Sequence, residues 1–259
     1  MFAYIKRCNF AVLKFYTDGK IKKQSGIGLA TAEEFIQEGA TVIITGRNQQ
    51  RIDAVTAMLG SNCHGIVCDH GNLAHIFQLA TAIGDITPQL DIVFANAGYG
   101  KFAPVDAVNE ELFNELFNVL AKGTFFTVQQ ALPMMKPGST IIFNTSVVTG
   151  YGSQNASIYS AAKAAVQSFS KTFAAELISR NIRVNAVSPG YTATDGFNKT
   201  GMSAEQIAGA KAYITTQLPY KRFAEAAEVA KAVTFLASGD SSYVHGAEIV
   251  IDGGYATIR

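Results

Sequence analysis

Short Val- and Ile-rich runs alternate with helix-period segments along almost the whole of this 259-residue chain, and that alternation leaves few folds open. Strands are predicted at 41–45, 65–68, 91–95, 140–144, 182–187 and 248–251. Each is short, apolar and bounded by Gly, Asp, Asn or Pro, the pattern of a strand covered on both faces. Helical periodicity fills the gaps, at about 28–38, 49–58, 72–82, 110–135, 156–179, 203–216 and 225–237. Ser203-Ala204-Glu205-Gln206 has the form of a capping box at the start of one of these helices. Strand–helix alternation predicts an α/β fold: a parallel sheet of about seven strands with helices on both faces, doubly wound in the Rossmann manner. No repeat, low-complexity stretch or linker interrupts it, so residues 1–259 are expected to form a single domain.

Composition narrows the function classes. With 48% hydrophobic and 16% charged residues and a net charge of +1, the chain has a well-buried core and no general polyanion footprint. No apolar run is long enough to span a membrane. Phe10-Ala11-Val12-Leu13 is too short, and too soon followed by Lys14, for a signal peptide. Cys8, Cys63 and Cys68 make no disulfide framework, so a reducing cytoplasm is the expected setting. Cys63, His64, Cys68, His70 and His75 cluster in sequence, but their spacing fits no zinc pattern, and no metal is expected.

In a doubly wound sheet, ligands bind beyond the carboxyl ends of the strands. Small, polar or turn residues gather at those ends: Arg47, Asp69, Asn96-Ala97-Gly98, Ser146 and Pro189-Gly190. Ser25-Gly26-Ile27-Gly28 opens a helix. Tyr159 and Lys163, four residues apart on a helix, project from one face. An ammonium beside a phenol favours the phenolate, which predicts a lowered Tyr159 pKa and a proton donor or acceptor near neutral pH. Ser146, arriving from another element, is placed to hold a substrate oxygen against that phenol.

In order along the chain, Gly26-Ile27-Gly28, Asp69, Asn96-Ala97-Gly98, Ser146, Tyr159-x-x-x-Lys163, Pro189-Gly190 with Thr194, and Ile251-Asp252-Gly253-Gly254 resemble a short-chain dehydrogenase/reductase over about residues 25–257. The resemblance implies hydride transfer between a nicotinamide cofactor and a carbonyl or alcohol. It implies that Tyr159 is the general acid or base, that Lys163 lowers its pKa and contacts the nicotinamide ribose, and that Ser146 orients the substrate oxygen. Pro189, Gly190 and Thr194 would hold the nicotinamide end, Asp69 the adenine, and Asn96, Ala97 and Gly98 would lie along the cofactor. Ser25, Gly26, Ile27 and Gly28 would meet the pyrophosphate. A homotetramer is implied as well; Phe125, Phe126, Phe169 and Phe173 are apolar in excess of one core-facing stripe. The segment 191–218, with Phe197, Met202, Ile207, Tyr213 and Ile214, is expected to be a lid over the substrate.

Cofactor choice turns on Thr45-Gly46-Arg47-Asn48. An acid at the end of the second strand would bind a ribose 2′-hydroxyl, whereas a guanidinium matches a 2′-phosphate. NADP(H) is therefore expected over NAD(H).

Two features depart from the family pattern. Counting back from Gly26, the first glycine of its T-G-x-x-x-G-x-G turn falls on Lys22 and the threonine on Ile21. A side chain there obstructs both the turn and close approach to a pyrophosphate. Either Phe10–Tyr16 supplies the first strand, with a longer loop from Gly19 to Gly26, or a frameshift or displaced start codon has altered this N-terminus. Second, the family's Asn two residues before Lys122 is Leu120 here. Asn118 lies about 200° away around a regular helix and replaces it only if the helix is bulged. In the family that position helps hold a water in a proton relay to the lysine, so the relay is expected to be weakened.

The sequence thus predicts an NADP(H)-dependent carbonyl reductase or secondary-alcohol dehydrogenase. The rival is a dinucleotide-binding pseudoenzyme or impaired product, which Leu120 and the lost glycine favour and the intact Ser146, Tyr159 and Lys163 oppose. A Rossmann-like methyltransferase needs no Tyr–Lys pair and ranks below both.

Overall fold

A computed structural model describes residues 11–14, 26–96, 98–194 and 203–258. Residues 19–25 of the loop before Gly26, Ser25 among them, and Ala97, Phe197 and Met202 lie outside the described residues.

Seven strands form one parallel sheet in the order β3-β2-β1-β4-β5-β6-β7. They are β1 (Ala11–Lys14), β2 (Val42–Gly46), β3 (Cys63–Val67), β4 (Leu90–Ala95), β5 (Met135–Asn144), β6 (Arg183–Pro189) and β7 (Glu248–Ile251). The chain winds outward one way from β1 to β3, then returns past β1 to β4 and runs out to β7. The order reverses between β1 and β4, which is where such sheets bind ligands.

The first strand is the decisive element. Ala11 pairs with Val42 on one side and Ile92 on the other, and Leu13 with Ile44 and Phe94. Ala11–Lys14, within the expected segment, therefore supply the central strand, as the sequence required for a closed sheet. Without it β2 and β4 would present two bare edges in mid-sheet.

Helices cover both faces. Helices α1 (Gly26–Gln37) and α8 (Ala226–Ala237) lie on one. There Leu29, Ala32 and Phe35, with Val229, Val233 and Leu236, pack onto Ile44, Phe94, Ile142 and Val187. On the other are α3 (Leu73–Gly84), α5 (Gly123–Ala131) and α6 (Ser157–Leu177), whose apolar sides meet Ile43, Val93, Ile141, Phe143 and Ala186. The alternation is that of a strand, in which successive residues feed opposite cores. Asn side chains cap the helices that start near the strand ends: Asn48 for α2 (Gln49–Leu59), Asn72 for α3 and Asn109 for α4 (Glu110–Phe117).

The segment predicted as one helix over 110–135 is divided. After α4 the chain forms a π turn over Asn118–Lys122, closed by Gly123 N–H donating to the Asn118 carbonyl, before α5 begins. Pro133 then ends helical structure, and Met135 already belongs to β5. Helix α7 (Ala204–Gln217) has the expected capping box: Gln206 N–H donates to Ser203 Oγ at 3.2 Å and Ser203 N–H to Gln206 Oε1 at 2.9 Å. It buries none of its residues. Phe173 packs edge-on against Phe143 of the sheet and Phe125 against Phe169 and Phe173. Phe173 is thus buried in the core, and Phe125, Phe126 and Phe169 pack against it while staying partly exposed. Among the described residues no helix is long and apolar enough to cross a membrane.

Candidate active site

The carboxyl ends of β4, β5 and β6 converge on the N-terminal half of α6. Ser146, just past β5, is the N-cap of a short 3-10 turn over Val147–Gly150. A hydrogen bond links its side chain to Tyr159 in the first turn of α6. One turn on, Lys163 is 4% exposed, and its Nζ donates to the main-chain oxygen of Asn144 at 2.8 Å. Ser146, Tyr159 and Lys163, distant in sequence or one turn apart, are therefore one cluster. Phe102, 53% exposed, stands edge-on to the Tyr159 ring at 5.6 Å between centroids and walls the open side.

Electrostatics differ from the sequence expectation. Burial raises the Tyr159 phenol above its usual value of 10.0, and the hydrogen bond with Ser146 pulls the other way. Burial also drives the Lys163 ammonium down from 10.5 to about 8. Both groups are pushed towards their neutral forms, because each loses water before it gains an opposite charge. The lowering of Tyr159 by Lys163 is not the dominant effect in this state of the protein.

The helix is bulged where the sequence reading made Asn118 depend on it, and the side chain packed against the Tyr–Lys helix is that of Leu120. Leu120, fully buried, packs there with Leu116, Ala162 and Tyr159. Gly98 lies against the same leucine: with φ at +150°, a Cβ on it would come 2.4 Å from Leu120 Cδ2 and 3.7 Å from Lys163 Nζ. The end of β4 thus runs directly over the Tyr–Lys helix, in a backbone conformation that favours glycine.

Other predicted residues sit around this centre. Asn144 Nδ2 donates to Asn96 Oδ1 at 2.5 Å, while Asn144 Oδ1 is buried without a partner. Pro189 ends β6; Gly190 N–H donates to the Ile251 carbonyl at 2.9 Å, and a Cβ at Gly190 would strike Asp252. Thr194 is the last described residue before the 195–202 segment. Gly26, Ile27 and Gly28 form the first turn of α1, Gly26 with φ at +90° and open space around it. Asp69 turns one carboxylate oxygen to the Gly71 N–H at 2.9 Å, so it caps its own loop as well as standing at a strand end. Its neighbour His70 is buried between the Thr45 and Thr127 hydroxyls, each 2.8 Å away. Thr127 donates to the Gly123 carbonyl at 2.6 Å, which leaves its oxygen to accept from His70 Nδ1–H. That histidine is structural. Cys63 and Cys68 are buried free thiols, and burial raises Cys63 to about 11.

Arg47 is exposed at the end of β2, and its charge helps lower Glu115 of α4. Sequence reasoning missed Arg51. It lines a small cleft with Thr45, Gly46 and Asn48, and its Nη1 is buried without a hydrogen-bond partner. A signal was present: Arg47 and Arg51 are four residues apart about the start of α2, where the helix dipole disfavours cations. Also missed was Glu248, whose carboxylate accepts from Thr145 and Gln167.

The Enoyl-(Acyl carrier protein) reductase family model matches residues 21–256. The chain belongs to the short-chain dehydrogenase/reductase family. It is 38% identical over 236 residues to Oxidoreductase asL5 of Sarocladium schorii, covering 90% of this chain and 93% of that one. It is 36% identical over 235 residues to the 3-oxoacyl-[acyl-carrier-protein] reductase FabG of Thermotoga maritima, covering 89% and 93%. A solved structure described as a short chain dehydrogenase/reductase family protein superposes with a TM-score of 0.79 at 34% identity, over 96% of this chain and 98% of that one. As a short-chain dehydrogenase/reductase the chain is an NAD(P)-dependent oxidoreductase acting on a small molecule. The local chemistry fits a nicotinamide cofactor. A buried amide oxygen on Asn144, a lysine nitrogen with a single acceptor at 2.8 Å, and the close-lying Gly98 backbone offer both donors and an acceptor at the switch point.

Proposed function

We propose that this protein is an NADP(H)-dependent oxidoreductase that interconverts a ketone and a secondary alcohol. The observation that carries the reading is the Ser146–Tyr159–Lys163 cluster set against Gly98 at the reversal of strand order. When bound, the cofactor supplies or accepts the hydride. In the reductive direction Ser146 and Tyr159 hold the carbonyl oxygen, and the Tyr159 hydroxyl gives it the proton as the carbon is reduced. Lys163 contacts the nicotinamide ribose and favours the resulting phenolate. Phe102 supports the apolar substituent of the substrate. Asn96, Ala97, Gly98, Pro189, Gly190 and Thr194 line the cofactor, Asp69 meets its adenine, and Ser25, Gly26, Ile27 and Gly28 its pyrophosphate at the start of α1.

The choice of NADP(H) rests on the absence of an acid after β2 together with two guanidinium groups there. Arg51, with a buried nitrogen lacking a partner, adds to Arg47 what a 2′-phosphate requires. The 259 residues act as one domain in this reading, and two buried free thiols suit a reducing cytoplasm. Assembly as a homotetramer rests on family membership; light scattering showing a stable monomer at micromolar concentration would remove it.

The function is tested by a cofactor-oxidation screen over a carbonyl panel with NADPH and NADH, on wild type and Tyr159→Phe. The variant should lose about a hundredfold or more in turnover while keeping its cofactor affinity. Turnover near wild type in the variant would remove Tyr159 from the chemistry. Cofactor binding without turnover in wild type would instead favour a dinucleotide-binding pseudoenzyme.

A further inference from the structure

Glu248 touches neither Ser146 nor Tyr159 in the hydrogen-bond pattern, yet it joins the two elements that carry them. It opens β7, and its carboxylate is held from two sides: Thr145 Oγ1 donates to Oε1 at 2.5 Å and Gln167 Nε2 to Oε2 at 2.5 Å. Thr145 immediately precedes Ser146 and is 2% exposed. Gln167 lies on α6 one turn beyond Lys163 and two beyond Tyr159. A single side chain from the sheet edge therefore bridges the end of the Ser146 strand and the Tyr159–Lys163 helix.

The position of that bridge matters. The ladder between β5 and β6 ends at Asn144 opposite Val187. The last backbone bond beyond it is Thr145 N–H to the Val187 carbonyl, 2.9 Å, and the Thr145 hydroxyl lies 2.9 Å from the same oxygen. Ser146 is the first residue past this anchorage. On the helix side, α6 is tied to the end of β5 by the Lys163 Nζ–Asn144 carbonyl bond at 2.8 Å, and otherwise meets the sheet through apolar side chains such as Val166 and Phe173, whose packing is not directional. A serine and a tyrosine on two elements keep a hydrogen bond only if the gap between those elements is fixed to about half an ångström.

We propose that Glu248 is a positioning residue that sets the separation between Ser146 and Tyr159. It acts through Thr145 on one side and Gln167 on the other, and the proposal rests on the catalytic roles given above for Ser146 and Tyr159.

The test uses full-length protein carrying Glu248→Ala, Glu248→Gln, Thr145→Val, and the Glu248→Ala/Thr145→Val pair. In Glu248→Ala, kcat should fall about tenfold or more with cofactor affinity unchanged. Glu248→Gln should stay within about threefold, because an amide can donate to Thr145 and accept from Gln167. The double variant should fall no more than about twofold below the worse single variant, since both changes break one bridge. A readout free of turnover accompanies these: 3-fluorotyrosine at position 159, titrated by fluorine NMR. Its ionisation should shift upward by about half a pH unit or more in Glu248→Ala, as in Ser146→Ala, because the hydrogen bond favouring the phenolate is loosened. Lys163 is present in every variant and contributes alike to each. A lower melting temperature with unchanged kcat and an unchanged fluorine titration would reduce Glu248 to a structural role and overturn the proposal. An upward fluorine shift in Glu248→Ala relative to wild type, with no turnover in wild type itself, would sustain the bridge while removing the proposed reaction.

Discussion

Replacing Lys163 with methionine should abolish turnover and yet leave the fold at least as stable at neutral pH. Lys163 is 4% exposed, and burial lowers its ammonium from 10.5 to about 8. Between about pH 8 and 10.5 the unfolded chain therefore holds a proton at this site that the folded chain does not. Stability rises with pH wherever the unfolded state binds more protons, so the cost of burying the charge is fully present below about pH 8 and disappears by about pH 10.5. At about 1.4 kcal/mol per pH unit the cost is about 3 kcal/mol. Methionine avoids it but gives up the Nζ–H bond to the Asn144 carbonyl, worth about 1–2 kcal/mol. The variant should therefore equal or exceed wild type by about 1–2 kcal/mol at pH 7. By pH 10 most of that advantage should have reversed, a relative change approaching 3 kcal/mol, or about 6–10 °C in melting temperature for a chain of this size. Thermal melts of both proteins at pH 7 and pH 10, without cofactor, measure it. Taking the difference cancels the ten tyrosines and every other group that titrates in both. A gap that does not move with pH would mean that Lys163 is not a buried charge, and the argument would fail.

Arg47→Ala and Arg51→Ala should each weaken NADP(H) binding about tenfold or more while changing NAD(H) binding little, because a charge-assisted bond to the 2′-phosphate is lost; equal losses for both cofactors by calorimetry would refute this. Leu120→Asn should lower stability by about 2–5 kcal/mol, since an amide replaces a fully buried leucine among Leu116, Val119 and Ala162. Its single-turnover rate should nevertheless rise if a polar group there restores proton delivery, and a slower step would count against that. Exchanging residues 10–24 for a hydrophobic strand with a T-G-G-T turn should tighten NADP(H) binding and raise the melting temperature, with equal values in both showing that the native segment already forms a competent turn.

Much of the fold was legible because its signal is local. Six strands and the helices between them follow from apolar runs and their flanking turn residues, and most boundaries fall within about two residues. The first strand was legible only conditionally. Ala11-Val12-Leu13-Lys14 carries a weak apolar run, and its place between β2 and β4 comes from the need of both neighbours for a partner. The break at 118–122 was not legible. A π turn is one extra residue in a helix whose apolar pattern continues on either side, so periodicity reads across it.

The site divides the same way. Ser146, Tyr159 and Lys163 could be paired because two lie one helical turn apart and the third ends a strand. Glu248 could not, since its partners are 81 and 103 residues away and only the sheet order brings β7 beside β6. The sign of the Tyr159 shift was misjudged for a different reason. Spacing shows that a lysine is near a phenol, but not how much water either retains. Leu120 is one of the apolar side chains around them: it packs against the partly buried Tyr159 and lies beside Gly98, next to the buried Lys163. In such a place burial outweighs the attraction of an ammonium, and Lys163 itself is held partway to neutrality. The residue that departs from the family pattern therefore adds to the apolar surroundings of the residues that keep to it. Leu120→Asn and Lys163→Met, one in the π turn and one on α6, change the polarity of the same buried corner beside Gly98 from its two sides.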